Sequence, residues 1–599
     1  MKIAELIVRR LSFLGVDTAF VVTGGAAMHL NDALGQNENI DNFYLHHEQA
    51  LSMAAEGYAR IKGKPAIVNV TAGPGVLNTL NGVFGAYTDS IPMFVISGQV
   101  KRETLLAVNP IKGLRQLGDQ ELDTITTISK ITKKSHLLLE TNPNDIVDII
   151  DELFKQCISG RMGPVWLDVP VDIQGINVAF DEKVAERELK KDIFEMVEER
   201  NSNIEKIYSL INSSRKVVIL AGTGIKLSNT QRELLEISEE LNVPVVTAWA
   251  HDIFPNNNKL YGGRAGTIGT RAGNFIIQNS DLVIILGSRL NIRQISYNFE
   301  SFAKKAKKVW VDIDQSELNK PFTKVDVSVC DDLKELLPAL LKRIKLEKNK
   351  INENWIKWCQ GIVKDYSPKP EDYPISEDRI NAYHFIEKLF KEANKDDVFV
   401  CANATATIVP YQIGILKENM HLISNSGSAS MGHELPTAIG TSVAKPDTRT
   451  ICLAGDGSIM MNIQELQSIA NLNLNVIIFV LANDGYLSIK QTQKNFFGVE
   501  NGASASSGVT FPDFELVGNA FGINSYTMTK DYWKKELKNI LEKKGPLLVN
   551  VPLDLIQEFE PRLKSKMEKN RITTPDLDDM YPFISQDELN LIRESSNEK

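Results

Sequence analysis

The chain has 599 residues, too many for one hydrophobic core, and its 43% hydrophobic and 24% charged residues suit a globular protein of about three or four domains. Its net charge of −9 argues against nucleic acid as the main partner, and no run approaches the roughly 20 apolar residues of a membrane span. Cys157, Cys330, Cys359, Cys401 and Cys452 are scattered without a CxxC pair, and Arg9 and Arg10 interrupt any signal-type run, so zinc is disfavoured and a cytoplasmic location is expected.

The first segment, 1–180, alternates a helical pattern over 3–14 with short apolar strands at 18–22, 66–70, 93–97 and 165–169. Within it, Phe43-Tyr44-Leu45-His46-His47-Glu48 ends a strand-like run, and a helix of small residues follows over 49–60. Glu48 therefore falls at a strand's C-terminal end beside a helix N-terminus, where a lone glutamate also serves simply as a dipole partner. Thr71-Ala72-Gly73-Pro74-Gly75-Val76-Leu77-Asn78 reads as a loop opening a helix, a turn that any strand–helix junction can carry, and Gln99 closes the next strand. A Glu- and Lys-rich connector, 181–203, reads as a solvated helix or linker.

The second segment, 204–345, has strands at 217–221, 243–247, 282–286 and 308–313, with Gly222-Thr223-Gly224 after the first. Another charged connector, 346–380, contains Pro368, Pro370 and Pro374; a third segment, 381–553, and a tail, 554–599, complete the chain. Three strand–helix segments of similar size predict an α/β protein of three related, doubly wound parallel-sheet domains.

The third segment carries the most informative motif. Gly455-Asp456-Gly457-Ser458 follows an apolar run at 450–454; a helical stretch, 464–473, and a second apolar run, 476–481, lead to Asn483. Strand, tight turn, helix and parallel strand place Asp456 and Asn483 at the same end of neighbouring strands, where open α/β sheets bind ligands. Two hard oxygen ligands there suit Mg²⁺ held with a diphosphate, and the glycines let the backbone approach it; a lone Gly-Asp-Gly is otherwise a surface turn.

Together, Val22-Thr23-Gly24-Gly25-Ala26, His47-Glu48-Gln49, Gly73-Pro74-Gly75, Gly163-Pro164-Val165 and the run from Gly455 to Asn483 resemble the thiamine diphosphate (ThDP) enzymes, and most closely the acetolactate synthase family, over nearly the whole chain. The resemblance implies a pyrimidine-binding domain at 1–180, a middle, FAD-binding-like domain at 204–345, a diphosphate- and Mg²⁺-binding domain at 381–553, and a tail at 554–599 that folds over the active site, its last residues after 592 forming either part of that cover or a disordered end. It implies that Glu48, its carboxyl buried among apolar residues, activates ThDP through the aminopyrimidine, that Pro74 and Asn78 line the pyrimidine, and that Met431 props the bent cofactor. Asp456, Asn483 and the Gly485 carbonyl would hold the metal, and Thr405, Gly455, Gly457, Ser458 and Tyr486 would complete the ThDP site. Gln99 and Gln120 match glutamines that face the reacting centre. The family's active site forms between subunits, so a homodimer or homotetramer is implied, with small-molecule substrates and no indication of a regulatory subunit.

In register with FAD-binding members, Arg161, Gly222, Gly224, Gly266, Arg289, Arg293, Asp312 and Asp332 match flavin-contact positions. The arginines would meet the diphosphate and Asp312 a ribose or adenine group. Departures from the family are Thr267-Ile268 for Met-His and Asn291 for an aspartate; the alternative is a middle domain of the same fold without flavin.

The substrate pocket departs further. Thr492 stands at the register of a bulky Trp, Ser488 at that of a Met, and Asp119 at that of a Phe; Pro170-Val171-Asp172 lacks a family lysine, and Leu114-Arg115-Gln116 adds polar groups. Smaller, more polar walls suggest a larger, polar acceptor. The reaction implied is decarboxylation of a 2-oxo acid, pyruvate, and transfer of the acyl carbanion to a carbonyl acceptor such as a keto-sugar. Three alternatives stand: an authentic acetolactate synthase making 2-acetolactate for branched-chain amino acids, a flavin-dependent pyruvate oxidase, and a non-catalytic relative, which the intact Glu48, Asp456 and Asn483 oppose.

Overall fold

Three parallel six-stranded sheets, each flanked by helices, carry the chain; the computed structural model describes residues 1–179, 182–189, 197–249, 252–321, 324–347, 353–568 and 571–597. The first sheet holds β1 (Thr18–Val21), β2 (Asp41–Tyr44), β3 (Ile67–Val70), β4 (Met93–Gln99), β5 (Lys134–Leu137) and β6 (Pro164–Pro170). The middle sheet holds β7 (Val217–Ala221), β8 (Val245–Thr247), β9 (Tyr261–Arg264), β10 (Leu282–Leu286), β11 (Lys307–Asp312) and β12 (Val327–Cys330). The last holds β13 (Val398–Cys401), β14 (His421–Ser424), β15 (Thr450–Gly455), β16 (Val476–Ala482), β17 (Asn524–Thr527) and β18 (Leu547–Pro552). Central strands such as Leu282–Leu286 and Val476–Ala482 are unbroken apolar runs because helices bury both of their faces.

The expectation of three doubly wound parallel sheets holds, and they come in two strand orders. The first and last share one order, β2-β1-β3-β4-β6-β5 and β14-β13-β15-β16-β18-β17. The middle sheet runs β12-β11-β10-β7-β8-β9, the order of dinucleotide-binding folds. The order reverses between β1 and β3, between β13 and β15, and between β7 and β10. Each reversal parts the flanking loops and opens a crevice at the strands' C-terminal ends.

The first and last domains pack through the helices Glu48–Lys62 and Glu434–Ala444. Small residues on both, Ala54 and Gly57 against Thr437 and Gly440, bring the backbones into contact, which explains the small-residue composition of the first helix. Buried inside this contact, Glu56 accepts hydrogen bonds from Arg60, His433 and Asn425. Burial alone would raise the Glu56 carboxyl, but the nearby His433 and Arg60 outweigh it and bring it down to about 2.

Two boundaries differ from expectation. Of the connector 181–203, residues 181 and 190–196 lie outside the described residues; from Val197 the chain is helical to Ser213, and Ile204, Ile207 and Ile211 enter the middle core. The connector expected at 346–380, of which 348–352 lie outside, contains the helix Glu353–Tyr366, whose Trp355, Ile356, Cys359 and Ile362 are buried on the middle domain. Its charges occupy only the solvent face. The tail also folds more than its sequence suggests. Lys566–Glu568 and Arg571–Thr573 pair as a hairpin, and the helix Gln586–Ser595 buries Leu589 and Ile592 in the middle core, so the described chain continues ordered past 592. The tail meets the helix Leu487–Phe497 that follows Asn483 through Gln491 donating to the Gln557 carbonyl and Arg562 donating to Gln491. No helix among the described residues is long and apolar enough to cross a membrane.

Candidate active site

In the last domain the loops after β13, β15 and β16 meet at the sheet's reversal. Asp456 follows β15 and is buried; its Oδ1 accepts the Gly457 N–H at 2.8 Å, and its Oδ2 accepts the N–H groups of Asn483 at 3.0 Å and Gly485 at 3.2 Å. Burial is the larger influence on this carboxyl and raises it to about 6, while those three donors pull the other way. Asn483 donates its Nδ2 to the Thr405 hydroxyl at 3.2 Å, and its buried Oδ1 has no hydrogen-bond partner. A buried carboxylate beside an orphaned carboxamide oxygen is a donor set for a hard cation, so these residues fit Mg²⁺. The Tyr486 ring lies directly over Gly457, where any Cβ would clash with it. Lys490 Nζ donates to the Asn483 carbonyl at 3.2 Å, and no ion pair of Lys490 is found among the described residues. Met431, exposed, precedes Gly432 at the start of the Glu434 helix; its neighbour Ser430 accepts a hydrogen bond from Asn81 of the first domain at 2.8 Å.

In the first domain the corresponding ends of β2, β3 and β4 carry Glu48, the Gly73 loop and Gln99. His47 caps the helix Glu48–Lys62, its Nδ1 accepting the Gln49 N–H at 3.1 Å, and Glu48 becomes the first helical residue. Asn78, in the helix Pro74–Asp89, donates to Glu48 Oε2 at 3.0 Å. Gly73, with φ of 60°, lets the Gln120 carbonyl come within 2.5 Å of where a Cβ would stand, so Glu48, Pro74, Asn78 and Gln120 share one edge. Within this chain the Glu48 side chain is half-buried.

Gln99 departs from expectation. It is buried, and its Nε2 donates to the Leu122 carbonyl at 3.0 Å, the Thr124 hydroxyl at 3.3 Å and Asp168 Oδ2 at 3.1 Å, while its Oε1 accepts the Val100 N–H at 2.9 Å. With its amide spent inside the domain, Gln99 holds the loop that bears Gln120 through the Leu122 carbonyl. Gln120 itself is exposed at the site's edge.

The middle sheet's crevice is a cavity of about 840 Å³ lined by Gly222, Gly224, Arg289, Asp312, Asp332 and Arg161. Gly222 and Gly224 lie so close to Gly287 that a side chain on either would clash with it. Arg161 is already paired with Asp314 at 2.9 Å and Glu317 at 2.6 Å, and Asp332 caps the helix Leu333–Leu346. Burial raises the Asp312 carboxyl to about 6. Gly266 and Arg293 are not among the residues lining this cavity; the loop after β9 meets the short helix Ile292–Ile295 there, the Thr267 N–H donating to the Arg293 carbonyl at 2.7 Å.

Two buried residues near these sites escaped the sequence reading. Arg264 donates to the carbonyls of Pro410, Tyr411 and Gly414, capping the C-terminal end of the helix Thr405–Ile413 whose N-terminal end meets Asn483. Glu434 accepts a hydrogen bond from Ser458. The only sequence signal for Glu434 is its place three positions after Met431.

Residues 1–126 match the thiamine pyrophosphate enzyme N-terminal TPP binding domain, 204–340 the central domain and 405–551 the C-terminal TPP binding domain. The chain is 32% identical over 584 residues to the chloroplastic acetolactate synthase of Arabidopsis thaliana, covering 96% of this chain and 84% of that one. It is 31% identical to a probable acetolactate synthase large subunit of Methanococcus aeolicus, covering 92% of each, and 29% identical to the acetolactate synthase large subunit of Lactococcus lactis subsp. lactis, covering 95% of each.

Proposed function

The chain belongs to the thiamine pyrophosphate enzymes, in the acetolactate synthase family, and from that premise we propose that it is a Mg²⁺-dependent carboligase that decarboxylates pyruvate and passes the two-carbon unit to a polar carbonyl acceptor of keto-sugar type. Asp456, Asn483 and the Gly485 carbonyl would hold the metal. Gly455, Gly457, Ser458, Thr405 and Tyr486 would hold the diphosphate, Met431 the bend, and Glu48, Pro74 and Asn78 the pyrimidine. ThDP, when bound, supplies the carbanion chemistry that breaks a bond beside a ketone. The chain's own part is to orient and to move protons: Glu48 Oε1, free of the Asn78 contact, can hold a proton, and Gln120 stands at the edge where substrate enters.

The observation that carries the acceptor is the helix Leu487–Phe497. Ser488 is half-buried and, one turn on, the exposed Thr492 turns its hydroxyl back to the Ser488 carbonyl at 2.9 Å, so the wall these two form is short and polar. The relatives' names favour a second reading, synthesis of 2-acetolactate from two pyruvates. Release of CO₂ from pyruvate alone and with keto-sugar nucleotides separates them. We expect acceptor-dependent turnover; full-rate 2-acetolactate formation from pyruvate alone would make the second reading the right one.

FAD is proposed for the middle cavity, with Arg289 at the diphosphate and Asp312 at the ribose or adenine, on the strength of the dinucleotide-type strand order and the glycine contact beneath the crevice. The purified chain should be yellow and release flavin on denaturation; a chain that stays colourless after incubation with FAD would refute this. Flavin bleaching by pyruvate without carboligation would instead indicate an oxidase.

A homodimer is proposed as the active unit. Among the described residues no hydrogen bond joins Glu48 to Asp456, Asn483 or Thr405, and large apolar side chains next to both half-sites are exposed: Leu77, Phe84 and Tyr87 on the Pro74 helix, Met460 and Met461 after the Asp456 turn. Such surfaces mark contacts with another chain.

A further inference from the structure

Beneath the proposed diphosphate loop lies a titratable side chain to which none of the roles above applies. Glu434 opens its helix and is fully buried. Its Oε2 accepts a hydrogen bond from the Ser458 hydroxyl at 2.8 Å, and its Oε1 is buried without a hydrogen-bond partner. Ser458 also accepts the Gly432 N–H at 2.9 Å, so its one proton is committed to Glu434. The same knot is closed by Asn462, which donates to the Gly432 carbonyl at 2.7 Å. Met431 is thus tied to the Asp456 turn through Gly432, Ser458 and Glu434.

No ion pair neutralises Glu434 among the described residues. His433, its neighbour, faces Glu56 and Thr437. The other titratable groups on the elements packed against this helix are Glu48, Glu56, Tyr58, Arg60 and Lys62 of the Glu48 helix, Cys401 of β13, Cys452 of β15, Asp456 of the turn and Glu465 of the helix Glu465–Asn471. Of these, Arg60 and Lys62 are the cations; Arg60 is paired with Glu56 at 2.6 Å and Asp89 at 2.6 Å, and Lys62 is exposed to solvent at the last position of its helix. A carboxylate in a protein interior needs a cation or several donors. Glu434 has one close donor, the Ser458 hydroxyl. Burial is the larger influence and raises the carboxyl to about 7, while the backbone N–H groups of Glu434 and Gly432 and the nearby His433 also favour its anion. A diphosphate arriving at the turn that carries Ser458 brings further negative charge and disfavours the ionised form still more.

We propose that Glu434 takes up one proton from solvent when the diphosphate cofactor binds, and that the neutral acid is a positioning residue holding Ser458, Gly432 and Met431 in the binding arrangement without adding a negative charge. This rests on the assignment of Gly455 to Ser458 to the diphosphate. One O–H bond forms, on Oε1, at the expense of a solvent proton, and nothing is oxidised or reduced. The acid then keeps the Ser458 bond to Oε2 and removes the unpartnered charge.

Titration calorimetry of ThDP with Mg²⁺ into the cofactor-free chain at pH 8, in buffers of different ionisation enthalpy, counts the protons. Wild type should take up roughly one-half to one proton more per site than Glu434→Gln. Wild-type affinity should also weaken with rising pH above about 7.5, approaching tenfold per unit, while that of Glu434→Gln stays flat over the same range. Asp456, raised only to about 6, is ionised throughout that window and cancels in the difference. Equal proton counts for the two chains overturn the proposal. Should the variant fail to fold, a wild-type affinity that does not change between pH 7.5 and 9 overturns it as well. Failure of wild type to bind ThDP at any pH would remove the diphosphate assignment, and the proposal with it.

Discussion

Asp456→Asn is expected to fold, to lose the metal and diphosphate, and to be more stable without cofactor than the cofactor-free wild type. The carboxylate is the one charged ligand in the set, and its loss should weaken Mg²⁺–ThDP binding on the order of 100-fold or more, beyond what loss of an outer-shell partner costs. Asp456→Ala should do the same. The stability gain follows from the sign of the shift. Burial lifts the Asp456 carboxyl from 3.8 to about 6, so the native state prefers the protonated form. That preference stabilises the fold fully below pH 4 and is lost as pH rises through about 6, above which the buried anion costs about 3 kcal/mol. The asparagine variant should therefore melt higher than cofactor-free wild type at pH 7 to 8 and equal it near pH 4. Metal binding to wild type should fade below pH 6, where protons compete for the same oxygen. Thermal unfolding with and without Mg²⁺–ThDP across this range checks all three. An asparagine variant that retains wild-type affinity for the cofactor would exclude Asp456 as the metal ligand.

The sequence is legible where a residue's environment is set by its own neighbours. The strands expected at 217–221 and 282–286 are β7 and β10 to the residue, because Val-Val-Ile-Leu-Ala and Leu-Val-Ile-Ile-Leu are buried on both faces and end at polar or glycine positions. The strands β5, β12 and β17 carry no such run. They are sheet edges, half solvated, with sequences such as Lys-Ser-His-Leu that no periodicity separates from a loop. Strand order is illegible for another reason: each crossover carries the chain to either side of its sheet, so the difference between the middle sheet and the other two appears only in three dimensions. The same division runs through the site. Glu48, Asp456 and Asn483 sit at strand ends within recognisable turns. Gln99 sits at a strand end too, yet its role turns on Asp168 and Leu122, which only folding brings to its amide. Glu434 reads as an ordinary first-turn acid until Ser458 and the surrounding strands bury it.

Glu48→Gln is expected to bind ThDP within a few-fold of wild type and to lose activity by about 10²- to 10⁴-fold, the usual worth of a positioned proton-transferring side chain. The amide keeps the shape and still meets Asn78, but it holds no exchangeable acid proton. Near-normal turnover would exclude Glu48 as the activating group. The variant also tests whether the half-sites meet between subunits. Co-expressed with Asp456→Ala, it gives mixed dimers in which one chain supplies an intact Glu48 and the other an intact Asp456. If the site forms between subunits, random pairing leaves one good site in each mixed dimer, and about one quarter of all sites should work. If both halves come from one chain, every site carries one lesion and activity stays near zero. The half-buried state of Glu48 favours the first outcome, since its carboxyl is left partly open to solvent within its own chain. Recovery should follow the proportion of the two chains and vanish when both substitutions are placed in the same chain and paired with itself. A mixture with no more activity than its components would place the whole site within one subunit and remove the argument for an active dimer.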